Sequence, residues 1–430
     1  MNTPKDFKIK FMDPISDSWC AAKWFEGTIW LYKGMTASCH HNPFHQIELD
    51  DNPASLHNTP QKINERKDML SGNKPEGCNY CWSIEKSGGV SDRIEKTRAT
   101  PIERIISWKD SGKSLVEIPY MLEIAFERTC NLACSYCSSD FSSKWVNDLK
   151  AHGPYSNIKT DSRYFKISEV IEPENNRYIE AFFIWLPELV KKLINIRITG
   201  GEPLLSNSFW KFLDSVESLG YSGKISVNTN LINKKGEIQR LIDKSKSLDI
   251  ILYTSIESNF NDAEYTRDGF DRELWTNNLT RILNETSIPV IISTSINNIS
   301  VWTFIELVKM IIEYKKKYGT NRITMGCNFV HYPVFMRVKL IDIYNRLKLV
   351  TQLQQLISSN TEFFIDSEIV QFDRFYTIMS DPDNGIEESY ISLNDVYNDL
   401  KSFITQYDSR RNKNYKSLSS EFISWYDSIN

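Results

Sequence analysis

No apolar run in this chain reaches the length of a membrane span; the nearest, 181–186, is short and is followed by Pro187. Neither sign of charge dominates. A net charge of -4 over 430 residues gives no general pull toward nucleic acid or an anionic membrane. The opening Met-Asn-Thr-Pro-Lys-Asp lacks the apolar stretch of a signal peptide, and there is no repeat or low-complexity tract. A cytoplasmic protein without a membrane partner is therefore expected. In that reducing setting eight cysteines, seven of them in two groups, point to metal ligation over disulfides.

What the chain does have is enough apolar material for a core, with 41% hydrophobic and 12% aromatic residues. Its length allows one large α/β domain and a smaller appendage. Residues 1–115 read as irregular, turn-rich and Trp-rich, with four of the cysteines. From Tyr120 the texture changes. Segments 121–126, 194–199, 224–227, 249–254, 289–293 and 322–325 read as strands, and 208–219, 235–245, 272–283 and 301–318 as amphipathic helices between them. That alternation is the pattern of parallel βα units. Thr129, Gly200, Asn228, Glu257 and Asn328 fall at or just past strand ends, where parallel barrels build their sites. The long crossover between Cys137 and Thr199 carries an aromatic helix at 178–193 and is expected to cover part of the site's mouth. After 336 the pattern is mostly helical, so the expected divisions are 1–115, 116–335 and 336–430.

Cys130, Cys134 and Cys137 stand in Phe-Glu-Arg-Thr-Cys-Asn-Leu-Ala-Cys-Ser-Tyr-Cys, a C-x3-C-x2-C triplet directly after the first strand. Three thiolates so close together can hold three corners of a cubane iron–sulfur cluster and leave one iron open, whereas most electron carriers saturate all four irons. The competing reading is a zinc or structural cluster completed by a fourth ligand from elsewhere. A second signature, Thr-Gly-Gly-Glu-Pro at 199–203, follows the next strand.

Together these motifs resemble the radical S-adenosylmethionine (SAM) superfamily. The resemblance implies a partial (β/α)6 TIM-like barrel. It implies a 4Fe–4S cluster on Cys130, Cys134 and Cys137, whose open iron SAM chelates through its amino and carboxylate groups. Tyr136 matches the aromatic position that packs near the adenine, or is ordinary loop packing. Gly200 and Gly201 let the backbone approach a ligand closely. Carbonyls there would receive the SAM ammonium, with Glu202 orienting it and Pro203 pre-setting the next helix. Asn228, Ser255 and Glu257 fall where relatives place polar side chains against the ribose and carboxylate; Asn228 suits a cap or turn equally well. Arg267, in Glu-Tyr-Thr-Arg-Asp-Gly-Phe, is the candidate to grip the SAM carboxylate bidentately, although Asp268 stands where relatives often carry Gly. Asn297 is a further pocket candidate. Cys327, the eighth cysteine, is either a small buried hydrophobe or a thiol hydrogen-atom donor.

Cys20, Cys39, Cys78 and Cys81 form the second group, with Gly-Cys-Asn-Tyr-Cys-Trp at 77–82 as a metal knuckle. These segments resemble the auxiliary-cluster domain called twitch, a shortened SPASM domain, here preceding the barrel. Four cysteines suffice to close a second, auxiliary 4Fe–4S cluster. Zinc is the alternative, and His40, His41 and His45 crowd around Cys39.

The activity implied by the resemblance is one-electron reduction of SAM to methionine and a 5′-deoxyadenosyl radical, which abstracts hydrogen from a substrate. The protein's part is to position groups and exclude water. An oxidative modification of a peptide or protein residue is expected, with a flavodoxin- or ferredoxin-type electron donor. A sugar, nucleotide or other small-molecule substrate is the alternative. From another class comes a zinc- or cluster-stabilised binding module without catalysis. Lys- and Arg-bearing segments at 62–67 and 409–416 keep nucleic-acid modification open as a third reading.

Overall fold

The computed structural model describes residues 3–160, 166–234, 236–383, 386 and 392–429. The chain forms two compact units, Met1–Glu127 with Glu169–Gly200 and Asn207–Ile225, and Arg128–Ser168 with Gly201–Ser206 and Ser226–Asn430. These units cut across boundaries at 115 and 335.

The first unit holds β1 (Glu26–Trp30), β2 (Met35–Ala37), β3 (His45–Gln46) and β4 (Met121–Ala125). After the short β5 (Ala133–Cys134) of the second unit it adds β6 (Asn195–Thr199). β4 pairs in parallel with β6 on one side and β1 on the other, setting Ile124 opposite both Ile198 and Ile29. All three isoleucines are buried. β2 and β3 continue this sheet antiparallel. Helices Arg177–Leu189 and Asn207–Ser218 bring Phe182 and Phe212 together at 6.2 Å.

The expectation of an irregular segment at 1–115 is corrected here. It contains β1, which adds a parallel strand beside β4, and helices Pro60–Leu70, Asn79–Lys86, Asp92–Ala99 and Ile102–Asp110. Helix Pro60–Leu70 starts as local rules dictate, with Thr59 accepting from the Lys62 amide and proline at its head. Its inward face carries Lys62 and Arg66, both fully buried, so apolar periodicity cannot reveal it. Arg66 donates to the Lys23 carbonyl at 2.8 Å and, through Nη1, to Asn58 Oδ1 and the Leu115 carbonyl, each at 2.7 Å. Nearby, Trp19 stacks on Trp108 at 5.4 Å and Trp24 meets Trp108 edge-on at 5.2 Å, contacts worth about 0.5–1.5 kcal/mol each beyond burial.

In the second unit, β7 (Lys224–Thr229, entering the unit at Ser226), β8 (Asp249–Thr254), β10 (Val290–Ile296) and β11 (Ile323–Phe329) lie side by side in that order. β10 is parallel to both of its neighbours. Helices Glu237–Lys244, Arg272–Glu285 and Phe304–Tyr318 alternate with them. The two-residue β9 (Arg267–Asp268) pairs antiparallel with β5 and places Arg267 opposite Cys134. The C-terminal helices Ile343–Ser358, Asp366–Ser380, Leu393–Arg411 and Ser420–Ser428 belong to this same unit. Helix Asp366–Ser380 is locked to the strands through Glu368, which pairs with buried Lys315 at 2.7 Å and accepts from the Met325 amide at 2.9 Å. No helix among the described residues is long and apolar enough to cross a membrane.

Candidate functional site

The triplet cysteines lie on a loop that its own backbone and a following helix hold tightly. The Cys130 amide donates to Ser143 Oγ at 3.0 Å, and the Cys137 amide to the Cys134 carbonyl at 2.9 Å. The Trp145 indole donates to that same carbonyl at 2.8 Å. Two donors already point at sulfur: the Leu132 amide at 3.5 Å from Cys130 Sγ and Arg267 Nη1 at 3.8 Å from Cys134 Sγ. Such donors tune a cluster's thiolates. Burial pushes the Cys130 thiol up to about 12 and raises Cys134 and Cys137 as well. A bound cation reverses that preference and deprotonates a coordinating thiol.

Gly-Gly-Glu-Pro packs backbone against backbone on the entry to this loop. Gly200 has φ +115°, and a Cβ there would stand 2.5 Å from the Glu127 carbonyl oxygen. A Cβ on Gly201 would meet the Thr129 carbonyl oxygen at 2.3 Å and the Arg128 carbonyl carbon at 2.6 Å. The Glu202 amide then donates to the Thr129 carbonyl at 2.7 Å. The buried Glu202 carboxylate accepts from Thr229 Oγ1 at 2.7 Å, the Asn230 amide at 2.6 Å and the Leu204 amide at 3.1 Å. Burial still lifts it to about 7. Pro203 opens the short turn Pro203–Leu205 that follows.

Glu257 and Arg267 form a buried fork, Nε to Oε2 at 2.7 Å and Nη2 to Oε1 at 2.6 Å. The Tyr136 hydroxyl donates to Glu257 Oε1 at 2.9 Å, so three of the expected SAM-binding residues meet, but on one another. The guanidinium expected at the SAM carboxylate is committed to Glu257. Ser255 is half-buried just past β8, and Asn228 half-buried on β7. Asn297 is fully buried and shapes a turn, accepting from the Ile299 amide at 3.0 Å and donating to Ser300 Oγ at 2.8 Å. Its amide therefore serves the backbone. Cys327 is buried on β11 opposite Thr294. The next residue, Asn328, reaches Ser293 Oγ at 2.9 Å on the other strand face, and Ser295 on that face sends its amide toward Glu257 at 3.3 Å. Cys327 is thus a buried thiol beside Thr294, on the strand face opposite Asn328.

The donor set can be tested for a fourth protein ligand. Glu202 holds three donors, Glu257 is forked by Arg267, and Asp268 pairs with Arg411 at 3.3 Å and Lys413 at 3.2 Å. No histidine or carboxylate among the described residues joins these thiols at single-ion spacing. Three sulfurs, with Glu202, Glu257 and Asp268 committed among the described residues, fit a cluster with one open iron.

Two supports escaped the sequence reading. Tyr407, on helix Leu393–Arg411, sends its hydroxyl toward the Ala133 carbonyl at 3.3 Å and the Tyr265 carbonyl at 3.1 Å. Arg410 and Arg411 both pair with Asp148, at 3.2 and 3.3 Å. With Lys62 and Arg66 inside the core, the cations that kept a nucleic-acid reading open are largely engaged internally.

In the first unit, Cys20, Cys39, Cys78 and Cys81 line one cavity, together with Lys23, Arg93 and Lys96. Cys39 Sγ lies 3.2 Å from Asn42 Oδ1, and Asn42 Nδ2 lies 3.8 Å from Cys78 Sγ. No three of these sulfurs lie within 4.8 Å of one another. Zinc–sulfur bonds of about 2.3 Å would draw tetrahedral sulfurs to roughly 3.8 Å apart. The sulfurs of Cys130, Cys134 and Cys137 likewise do not all fall within 4.8 Å of one another, so both groups are more open than one bound ion would hold them. Burial pushes the Cys20 thiol up to about 12 and Cys81 up to about 11.

No family model matches the chain, and no curated protein does. Among solved structures it is similar to Streptococcus suis SuiB bound to S-adenosylmethionine, at 17% identity and TM-score 0.40, over 80% of this chain and 70% of that one. SuiB bound to precursor peptide SuiA gives 15% and 0.39, over 77% and 68%. Native anSMEcpe with bound AdoMet gives 13% and 0.37, over 56% and 61%. Overlaps of this size assign neither a reaction nor a ligand to this chain.

Proposed function

We propose that this chain is a radical SAM enzyme whose cluster is held by Cys130, Cys134 and Cys137. The observation that carries this reading is the braced three-cysteine loop, with Glu202, Glu257 and Asp268 engaged elsewhere and the Gly-Gly-Glu-Pro backbone pressed against its entry. The strand–helix alternation is the one the superfamily's partial barrel uses. Cys130, Cys134 and Cys137 would hold the cluster, which would supply the single electron for reductive cleavage of SAM to methionine and a hydrogen-abstracting 5′-deoxyadenosyl radical.

The remaining work belongs to this chain's residues. Gly200 and Gly201 let the chain pass close to the Glu127 and Thr129 carbonyls, and their own carbonyls would be offered to the SAM ammonium. Glu202 joins that segment to Thr229 and Asn230, fixing the end of β7 beside it. Glu257 holds Arg267 so that one guanidinium nitrogen faces Cys134 Sγ, where a hydrogen bond favours the thiolate. Tyr136 is held by the same carboxylate, its ring fixed for stacking.

We assign the four N-terminal cysteines to an auxiliary 4Fe–4S cluster in a twitch-like domain; that all four line one cavity supports a shared metal group. The substrate we propose is a peptide or protein side chain, on the resemblance of those cysteine segments alone. Anaerobic reconstitution should give about eight irons per chain and SAM cleavage to 5′-deoxyadenosine, two clusters of four. Cys130→Ala should abolish cleavage and retain the auxiliary iron. Reconstituted protein that yields no 5′-deoxyadenosine with reductant, even with candidate peptides, refutes the catalytic claim.

A further inference from the structure

Two histidines and an aspartate converge at the wall of the four-cysteine cavity, which His41 and Asp92 help to line. His41 Nε2 lies 2.7 Å and His40 Nε2 3.3 Å from the same Asp92 Oδ2. Among the described residues these are the only three metal-ligating side chains whose ligand atoms all fall within 4.8 Å of one another. Bonds of about 2.0–2.2 Å from a first-row ion to nitrogen and oxygen place adjacent ligand atoms roughly 3.0–3.6 Å apart, a spacing that the His40–Asp92 pair has at 3.3 Å and that the 2.7 Å His41–Asp92 pair reaches by a small opening.

The surroundings favour an ion over a simple hydrogen bond. The two imidazoles sit 3.9 Å apart with planes 48° from parallel, so their nitrogens approach the carboxylate from different directions. His41 is held by Tyr80, stacked at 3.8 Å and 17°. Lys96, one turn beyond Asp92, is drawn to Glu26 at 2.7 Å, so a nearby cation is not the carboxylate's main partner. His40 and Asp92 are open to solvent, leaving coordination positions for water. Two imidazoles, one carboxylate and water suit a divalent transition ion.

We propose that His40, His41 and Asp92 bind one divalent first-row transition ion, distinct from the metal of the four cysteines. The ion acts as a clasp. It ties the loop carrying Cys39 to the start of helix Asp92–Ala99 and, through the Tyr80 stack, to the Cys78–Cys81 turn. This does not depend on the radical SAM reading or on which metal the cysteines hold.

The test adds Co2+ to the full chain, reconstituted at its cysteines and freed of loosely held metal. One Co2+ per chain should bind with ligand-field bands and no thiolate-to-cobalt charge transfer. Asp92→Asn and His41→Ala should each weaken binding at least tenfold. His40→Ala, at a largely exposed side chain, should weaken it similarly without threatening the fold. Absence of Co2+ uptake, uptake equal in His40→Ala and wild type, or a spectrum dominated by thiolate charge transfer would each overturn the assignment.

Discussion

Replacing Glu257 by glutamine tests whether the buried fork is what holds the cluster loop. Glu257 is 1% exposed and takes two hydrogen bonds from Arg267 and one from Tyr136. In Glu257→Gln the fold is left with an uncompensated guanidinium and an amide NH2 facing donors. Losing one partner of a buried pair costs about 3–5 kcal/mol. The cost should fall on opening of β5 and β9, where Cys134 faces Arg267 and the Ser135 amide donates to the Thr266 carbonyl at 2.7 Å. Native-state hydrogen exchange at Ser135 should therefore quicken by about 100-fold or more, at 1.4 kcal/mol per tenfold. Arg267→Met should do the same. Glu257→Gln with Arg267→Met, which removes both charges, should recover much of the protection, giving a coupling of about 2–3 kcal/mol. Additive effects, or a Glu257→Gln change below threefold, would refute this role of the pair.

Gly201→Ala should destabilise by at least about 1–3 kcal/mol, since its methyl meets backbone that cannot swing away, and should weaken SAM binding; equilibrium dialysis and urea midpoints check both. Burial raises Glu202 from 4.5 to about 7, so the folded chain binds that proton more tightly than the unfolded chain. Its contribution is fullest below 4.5 and is lost as pH rises through 7, so urea midpoints should decline across that window and decline less in Glu202→Gln. Tyr407→Phe removes a hydroxyl that reaches two carbonyls beside the cluster loop and should cost about 1 kcal/mol by thermal denaturation, with faster loss of iron to a chelator.

Strands and motifs were legible because their signals are local. Segment 249–254 coincides with β8, and the other five expected strands overlap β4, β6, β7, β10 and β11, each a short apolar run closed by turn residues. The cysteine spacing and the two glycines could be read for the same reason: backbone contact needs glycine whatever lies elsewhere. Helix Pro60–Leu70 was hidden because Lys62 and Arg66 occupy core positions and are satisfied by distant carbonyls and a hydroxyl. Arg267 could be placed near the site, but its expected partner, the SAM carboxylate, could not be told from Glu257, since an internal carboxylate and a ligand carboxylate attract a guanidinium alike. Tyr407 and Arg411 lie far along the chain from the loop they brace, and no sequence period encodes that contact.

The central claim is that three cysteines leave one iron free for SAM. Electron–nuclear double resonance of the reduced protein with SAM labelled at its amino nitrogen and carboxylate oxygens reads that bond directly. Hyperfine coupling of both labels to a cluster that disappears in Cys130→Ala is the expected result. A fully assembled cluster on Cys130, Cys134 and Cys137 that shows no coupling to either label would contradict it.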